Sequence, residues 1–308
     1  MKVVRKHDSI LKDPKKSMIQ NLCINFNNEI IAATFDNRIN YYNLSDGSIS
    51  HKYPISDGSA DGIDRMTFIN LPHYLLYTTT NQYDYGIRLL NAETHQVQRV
   101  FTGHQGRVTS LHQNPRSDTF ITASDDNTVR IWDLRSEKPI MCIPTESGAV
   151  ASFDTSGLVF AIAANSKIEM YPEKKAKPFQ SGQVKDSTQV QFNHMTFSPT
   201  SNYLLLSASN GEIYMFKTLR EFKQQAVFTG HQQADNVIHR PVFTRDESSV
   251  TIGDATGLSF YDINNPASAP VHVTSLVEQS PISCCVWHPS KALLISAGYT
   301  VDFWVPEI

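Results

Sequence analysis

The sequence predicts an all-β fold, a seven-bladed propeller forming one domain over residues 1–308, and three observations lead to it. The hexapeptide Val100-Phe101-Thr102-Gly103-His104-Gln105 recurs unchanged at Val227-Phe228-Thr229-Gly230-His231-Gln232, an offset of 127 residues, or three units of about 42. Short β-like runs end on a bulky residue at Tyr42, Leu90, Trp132, Tyr171, Phe216, Tyr261 and Trp304, with intervals of 48, 42, 39, 45, 45 and 43 residues. No linker or low-complexity tract interrupts the series. A four-stranded unit of this size leaves two apolar faces and two edges open, and stacking such units around an axis covers both.

The clearest unit runs from Gly103-His104 to Trp132-Asp133. Inside it lie Val108 to Leu111, Asp118 to Ser124 and Thr128 to Trp132, three β-branched or aromatic runs. Asn114-Pro115 with Ser117-Asp118 separates the first two, and Asp125-Asp126-Asn127 separates the second pair, which is turn chemistry. Gly-His to Trp-Asp is the pattern of a WD repeat, which supplies four strands of a blade. The last unit stops after its third run, at Phe303-Trp304-Val305. The missing outer strand is expected from Val3 to Ile10, so that the N-terminal strand completes the last blade.

Composition narrows the function classes. The chain is 40% hydrophobic and 19% charged with a net charge of −3, so no global basic field points to nucleic acid as the main partner. Direct sequence-specific nucleic acid binding is not expected. No run reaches the roughly 18 uncharged apolar residues of a membrane helix, and the charged start Met1 to Asp8 is not a secretory signal. Cys23, Cys142, Cys284 and Cys285 are too irregular for a disulfide framework, which suits a reducing, intracellular compartment. Neither a Gly-rich phosphate loop nor a nucleophile elbow occurs. The eleven histidines are scattered, without metal-ligand spacing to Cys, Asp or Glu. The expectation is a chain with no catalytic residues, no metal and no cofactor.

One constellation imitates an enzyme. His104, Thr122, Asp126 and Trp132 share a repeat, and a hydroxyl, an imidazole and a carboxylate are the makings of nucleophilic catalysis. The repeat pattern gives the more economical reading, a buried structural tetrad. There Asp126 accepts from His104, His104 bonds Thr122, and the Trp132 indole donates to Thr122. Asp36, Asp84, Asn165 and Asn210 stand six residues before their terminal residues, as Asp126 does. The sixth and seventh units depart, with Ala255 beside Asp254 and with Gly298.

Inner strands of a propeller line its central channel. With Leu111/Gln113 as a ruler, Arg65, His194 and Arg240 fall just before the first inner pair, within a one-residue slip, and Arg107 lies just ahead of its strand. Together they make a cationic rim suited to an acidic or phosphorylated peptide, through charge-assisted bidentate bonds. The plainer alternative is solvent-exposed arginines that cap loops. Lys174-Lys175-Ala176-Lys177 reads as a solvated loop, and Cys284-Cys285 as small apolar residues on opposite strand faces.

The third repeat and its flanks resemble one family more closely than a generic propeller. The residues that carry this are Gly103 to Leu111, Asn114-Pro115, Asp118-Thr119-Phe120 and Arg130 to Ser136. Ser152-Phe153-Asp154, Ser156 to Ala161 and Thr300 to Trp304 continue it. The family is the Swd-two type of WD-repeat subunit. It is shared by COMPASS, the histone H3 lysine-4 methyltransferase complex, and the cleavage and polyadenylation factor with its phosphatase scaffold, which acts in transcription termination. The resemblance implies a nuclear, non-enzymatic adaptor that ties its complex to RNA polymerase II, through the phosphorylated polymerase tail. A different WD-repeat role, such as a ubiquitin-ligase substrate receptor, is the alternative.

Overall fold

The structure is a computed structural model and describes residues 3–5, 18–25, 27, 30–35, 38–44, 49–54, 62–185, 190–232, 238–274 and 281–306. Among these residues there is no helix, and the strands pair into four-stranded antiparallel sheets. The first sheet is Leu22–Ile24, Ile30–Phe35, Arg38–Asn43 and Ile49–Pro54. The second is Ile63–Phe68, Tyr74–Thr79, Ile87–Asn91 and Gln96–Phe101; the third is Val108–Gln113, Thr119–Ser124, Thr128–Asp133 and Met141–Pro144. The fourth is Val150–Phe153, Val159–Ala164, Lys167–Pro172 and Gln180–Gln183. Phe192–Phe197, Tyr203–Ala208, Ile213–Lys217 and Lys223–Phe228 make the fifth. Val242–Phe243, Ser249–Gly253, Gly257–Asp262 and Val271–Thr274 make the sixth. The seventh takes Cys284–Trp287, Leu294–Ala297 and Val301–Pro306 from the end of the chain and pairs them with Val3–Arg5, Val4 standing opposite Val305.

The apolar residues are divided among clusters, each shared by two sheets that follow one another in the chain. Leu76 and Phe101 of the second sheet meet Phe120 and Trp132 of the third, while Leu205 and Met215 of the fifth meet Val250 and Ile252 of the sixth. One cluster joins the two ends of the series, packing Ile19 and Tyr42 against Ile295 and Phe303. Sheets arranged face to face around an axis are a β-propeller, and each sheet is a blade.

The bulky terminal residues hold equivalent places. Tyr42, Leu90, Trp132, Tyr171, Phe216, Tyr261 and Trp304 all lie on the third strand of their blade and are at most 4% exposed. The recurrent hexapeptide straddles a blade boundary in both copies. Val100-Phe101 and Val227-Phe228 end an outer strand, and Gly103-His104 and Gly230-His231 lead to the next inner one. Cys284 packs between the seventh and first blades and Cys285 between the sixth and seventh, and Lys174, Lys175 and Lys177 are exposed. The expected segment Val3 to Ile10 is described only at Val3–Arg5, and residues 6–10 lie outside the described residues.

Candidate functional site

In the third blade the turn Asp125-Asp126-Asn127 joins the second and third strands, with Asn127 at φ 61°, a left-handed conformation that asparagine tolerates. Asp126 Oδ1 accepts from the Thr128 N–H at 3.0 Å and from its hydroxyl at 2.6 Å. Its Oδ2 accepts from the Gln105 N–H at 3.0 Å and from His104 Nδ1 at 2.8 Å. His104 Nε2 meets Thr122 Oγ1 at 2.8 Å, and the Trp132 indole donates to the same oxygen at 2.9 Å. This pattern assigns the protons. Thr122 accepts from Trp132 and donates to His104 Nε2, so Nδ1 carries the imidazole proton to Asp126.

Burial lowers the pKa of His104, and Asp126 counters this only in part. Burial works against the Asp126 carboxylate, yet hydrogen bonds from Thr128, Gln105 and His104 outweigh it and hold the pKa at about 2. Thr122 and Trp132 are 0% exposed, so no substrate reaches the hydroxyl. A Cβ on Gly106 would stand 2.7 Å from the Asp126 backbone nitrogen, so only glycine fits beside this turn. The four residues converge in a closed, satisfied network.

Other blades build partial versions at the positions that the sequence spacing marks. Asp84 accepts from the Gly86 N–H at 3.0 Å and pairs with Arg88, Asn210 accepts from the Glu212 N–H at 3.1 Å, and Asn165 donates to Glu146 at 2.8 Å. Asp36 lies outside the described residues. In the sixth blade the role moves one residue back: Asp254 accepts from the N–H of Thr256 at 2.9 Å, the N–H of Gly257 at 2.8 Å and the hydroxyl of Ser259 at 2.6 Å. In the seventh, a side chain at Gly298 would collide with the Pro281 carbonyl oxygen, which explains the departure there. Trp304 nevertheless repeats the indole-to-hydroxyl bond, donating to Ser296 at 2.8 Å.

The second candidate site is the channel. In every blade the terminal third-strand residue pairs with a second-strand residue, which pairs in turn with an inner-strand residue. These inner residues are Ile24, Phe68, Gln113, Phe153, Phe197, Phe243 and Trp287. Three residues earlier on each inner segment stand Asn21, Arg65, Ser110, Val150, His194, Arg240 and Cys284, one tier around the axis. Arg65, His194 and Arg240 therefore occupy equivalent positions. The slip in the sequence ruler also has a cause: the inner strands of the second, third and fifth blades shift register at Asp64, Thr109 and Asn193, an added residue of the β-bulge type.

Arg107 does not belong to this tier, which corrects the sequence expectation. In its blade the tier position is Ser110, three residues on. Arg107 turns instead toward the second blade and donates to Asp64 at 2.5 Å from Nε and 2.8 Å from Nη2. A cavity of about 200 Å³ is lined by Arg65, His194 and Arg240, together with His112, one tier further in, which the ruler never tested. Arg65 Nε donates to the Thr109 carbonyl at 2.7 Å, and Arg240 donates to Asn21 Oδ1 at 2.8 Å. Burial, then the charge of Arg240, lowers the pKa of Arg65 to about 10. Burial, then the two arginines, lowers that of His112 to about 4 and holds His194 well below the ordinary histidine range. Both imidazoles are neutral at pH 7. Among the described residues no group of three or more His, Cys, Asp or Glu is placed to hold a metal ion.

Comparison with known proteins agrees with the geometry. Residues 95–133 match the family model described as "WD domain, G-beta repeat", which ends on the Trp132-Asp133 pair. "COMPASS component SWD2" of Saccharomyces cerevisiae is 31% identical over 267 residues, covering 79% of this chain and 78% of that protein. "WD repeat-containing protein 82" of Drosophila melanogaster is 25% identical over 280 residues, 90% of this chain and 86% of that one. "Set1 complex component swd2" of Schizosaccharomyces pombe is 34% identical over 191 residues, 60% of this chain and 52% of that one.

Proposed function

The chain belongs to the Swd2-type family of WD-repeat proteins, and from that premise we propose that it is a non-catalytic adaptor subunit of a nuclear histone H3 lysine-4 methyltransferase complex of the COMPASS kind. The reading extends to a ring of seven blades completed by the N-terminal strand, which the pairing of Val3–Arg5 with Trp304 to Pro306 supports. Such a scaffold suits an adaptor because rigid blades hold their connecting loops as independent contact surfaces. The observation that carries the proposal is the likeness to the yeast COMPASS component across four-fifths of both chains. The one enzyme-like constellation adds support, since His104, Thr122 and Asp126 spend their hydrogen bonds on one another and on the turn. Two finer partners belong to the same proposal: the cleavage and polyadenylation factor with its phosphatase scaffold, and the phosphorylated tail of RNA polymerase II.

The test is affinity purification of the tagged chain from nuclear extract, followed by mass spectrometry. Methyltransferase subunits in stoichiometric yield are the expected result, and cleavage-factor subunits beside them would establish the second role. Recovery of ubiquitin-ligase or coat subunits in place of both would overturn the assignment.

A further inference from the structure

The cavity on the propeller axis holds more positive charge than its walls neutralise. Arg65 and Arg240 line this end of the channel, and Asp64, which Arg107 also holds, is the carboxylate that answers them. Asp64 is engaged by both donors of Arg107, and its contact with Arg65 is longer, 3.4 Å. No Asp or Glu is among the described residues that line the cavity. Arg240 makes one hydrogen bond among the described residues, to the neutral amide of Asn21. Two guanidinium charges thus face the cavity and share one carboxylate that Arg107 already engages, an arrangement that costs free energy unless an anion enters.

The donors left over fit an oxyanion. The His194 Nδ1 atom is buried without a hydrogen-bond partner. Its ring centroid is 6.1 Å from that of His112 across the channel. The Arg65 and Arg240 forks supply paired N–H groups of the kind that grip phosphate. We propose that this cavity is a binding site for a tetrahedral oxyanion, a phosphate group held between Arg65 and Arg240 with His194 as a further donor. The phosphate is either free in solution or carried on a phosphorylated side chain of a partner protein. The site stands apart from the family assignment, because a chain that failed to purify with methyltransferase subunits would still bind phosphate here.

Thermal unfolding of the full chain, in sodium phosphate against chloride of matched ionic strength, tests the site. Phosphate is expected to raise the wild-type midpoint, and Arg240→Gln to abolish that rise. In phosphate-free buffer Arg240→Gln is expected to be at least as stable as wild type, since it removes a buried charge whose nearest carboxylate is held by Arg107. Arg65→Gln should behave alike; if it does not fold, Arg240→Gln decides alone. No response in the wild type, or a full response in Arg240→Gln, overturns the site. A short phosphoserine peptide beside its unphosphorylated form separates the two sources. Peptide binding at least about tenfold tighter than inorganic phosphate, and lost in Arg240→Gln, identifies a protein-borne phosphate. Phosphate binding with no gain from the peptide identifies a free anion, and binding of neither overturns the proposal.

Discussion

Arg107 and Asp64 form a two-pronged ion pair across the boundary between the second and third blades. Asp64 sits at the register shift of its inner strand, so its side chain leaves the alternation of its neighbours. Arg107 comes from the segment just before the next inner strand, and its side chain is 57% exposed against 4% for Asp64. A surface cation therefore serves a buried carboxylate. Burial alone would raise the pKa of Asp64, but Arg107 and then Arg65 turn the balance and lower it.

Among the described residues, removing Arg107 leaves that buried carboxylate with its longer contact to Arg65. Arg107→Ala is expected to cost about 1–2 kcal/mol, less than a fully buried pair because Arg107 is half in solvent. Urea denaturation measures it. An unchanged midpoint would mean that Asp64 finds adequate solvation without Arg107.

The tetrad of the third blade makes a sharper demand. Asp126→Ala strips acceptors from His104, from the Gln105 N–H and from both donors of Thr128. Unpaired groups in this partly buried turn are expected to cost on the order of 1–3 kcal/mol. Thr122→Val should cost a similar amount, since it leaves the His104 Nε2 and the Trp132 indole without partners at almost unchanged volume. If both variants unfolded at the wild-type urea concentration, the network would not contribute to stability.

What the sequence made legible follows from what repeats. The pitch of bulky terminal residues was readable because each must fill the same gap between blades, and the tetrad because its residues stand at the spacing of one Gly-His to Trp-Asp repeat. The channel was only partly readable. Register shifts at Asp64, Thr109 and Asn193 leave no mark in a single sequence, so the tier was readable only to within one residue, and Arg107, just ahead of its strand, was grouped with a rim whose third-blade member is Ser110. Asp254 and Gly298 showed only as departures from the spacing, because the sixth-blade turn begins one residue early and the constraint on Gly298 comes from Pro281 on another segment.

Histidines that fold neutral make stability depend on pH. The pKa of His112 falls to about 4, through burial and then Arg240 and Arg65, and that of His231 to about 4, through burial and then His239. An unfolded histidine titrates near about 6.5, so below that pH the unfolded chain takes up protons that the folded chain refuses. Stability is thus full above pH ~6.5 and declines as pH falls from there toward the folded value near 4. With His112 in contact with cavity space, the loss is on the order of 1 kcal/mol per histidine at pH ~5. Asp126, with a pKa of about 2, adds a further loss only below about pH 4. Urea midpoints at pH 7.5, 6 and 5 should fall in that order; equal midpoints at 7.5 and 5 would contradict it.

The N-terminal strand yields the prediction with the widest reach. Val3, Val4 and Arg5 pair with Pro306, Val305 and Trp304, so residues from the start of the chain form the outer edge of its last blade. Without them the strand Val301–Pro306 becomes an open edge beside Trp304, which is buried between the sixth and seventh blades. An open edge both loses ladder bonds and invites pairing with other chains. Because each blade is stabilised by its neighbours, the damage should spread around the ring instead of fraying one end. Deleting residues 1–10 is therefore expected to lower the midpoint of the whole thermal transition by about 5 °C or more, equivalent to about 2 kcal/mol, and to promote aggregation. Adding a synthetic peptide of residues 1–10 should restore part of the loss, because the vacated edge still offers its backbone groups. A deletion variant that melts with the full chain, and ignores the peptide, would show that the pairing contributes nothing to closure.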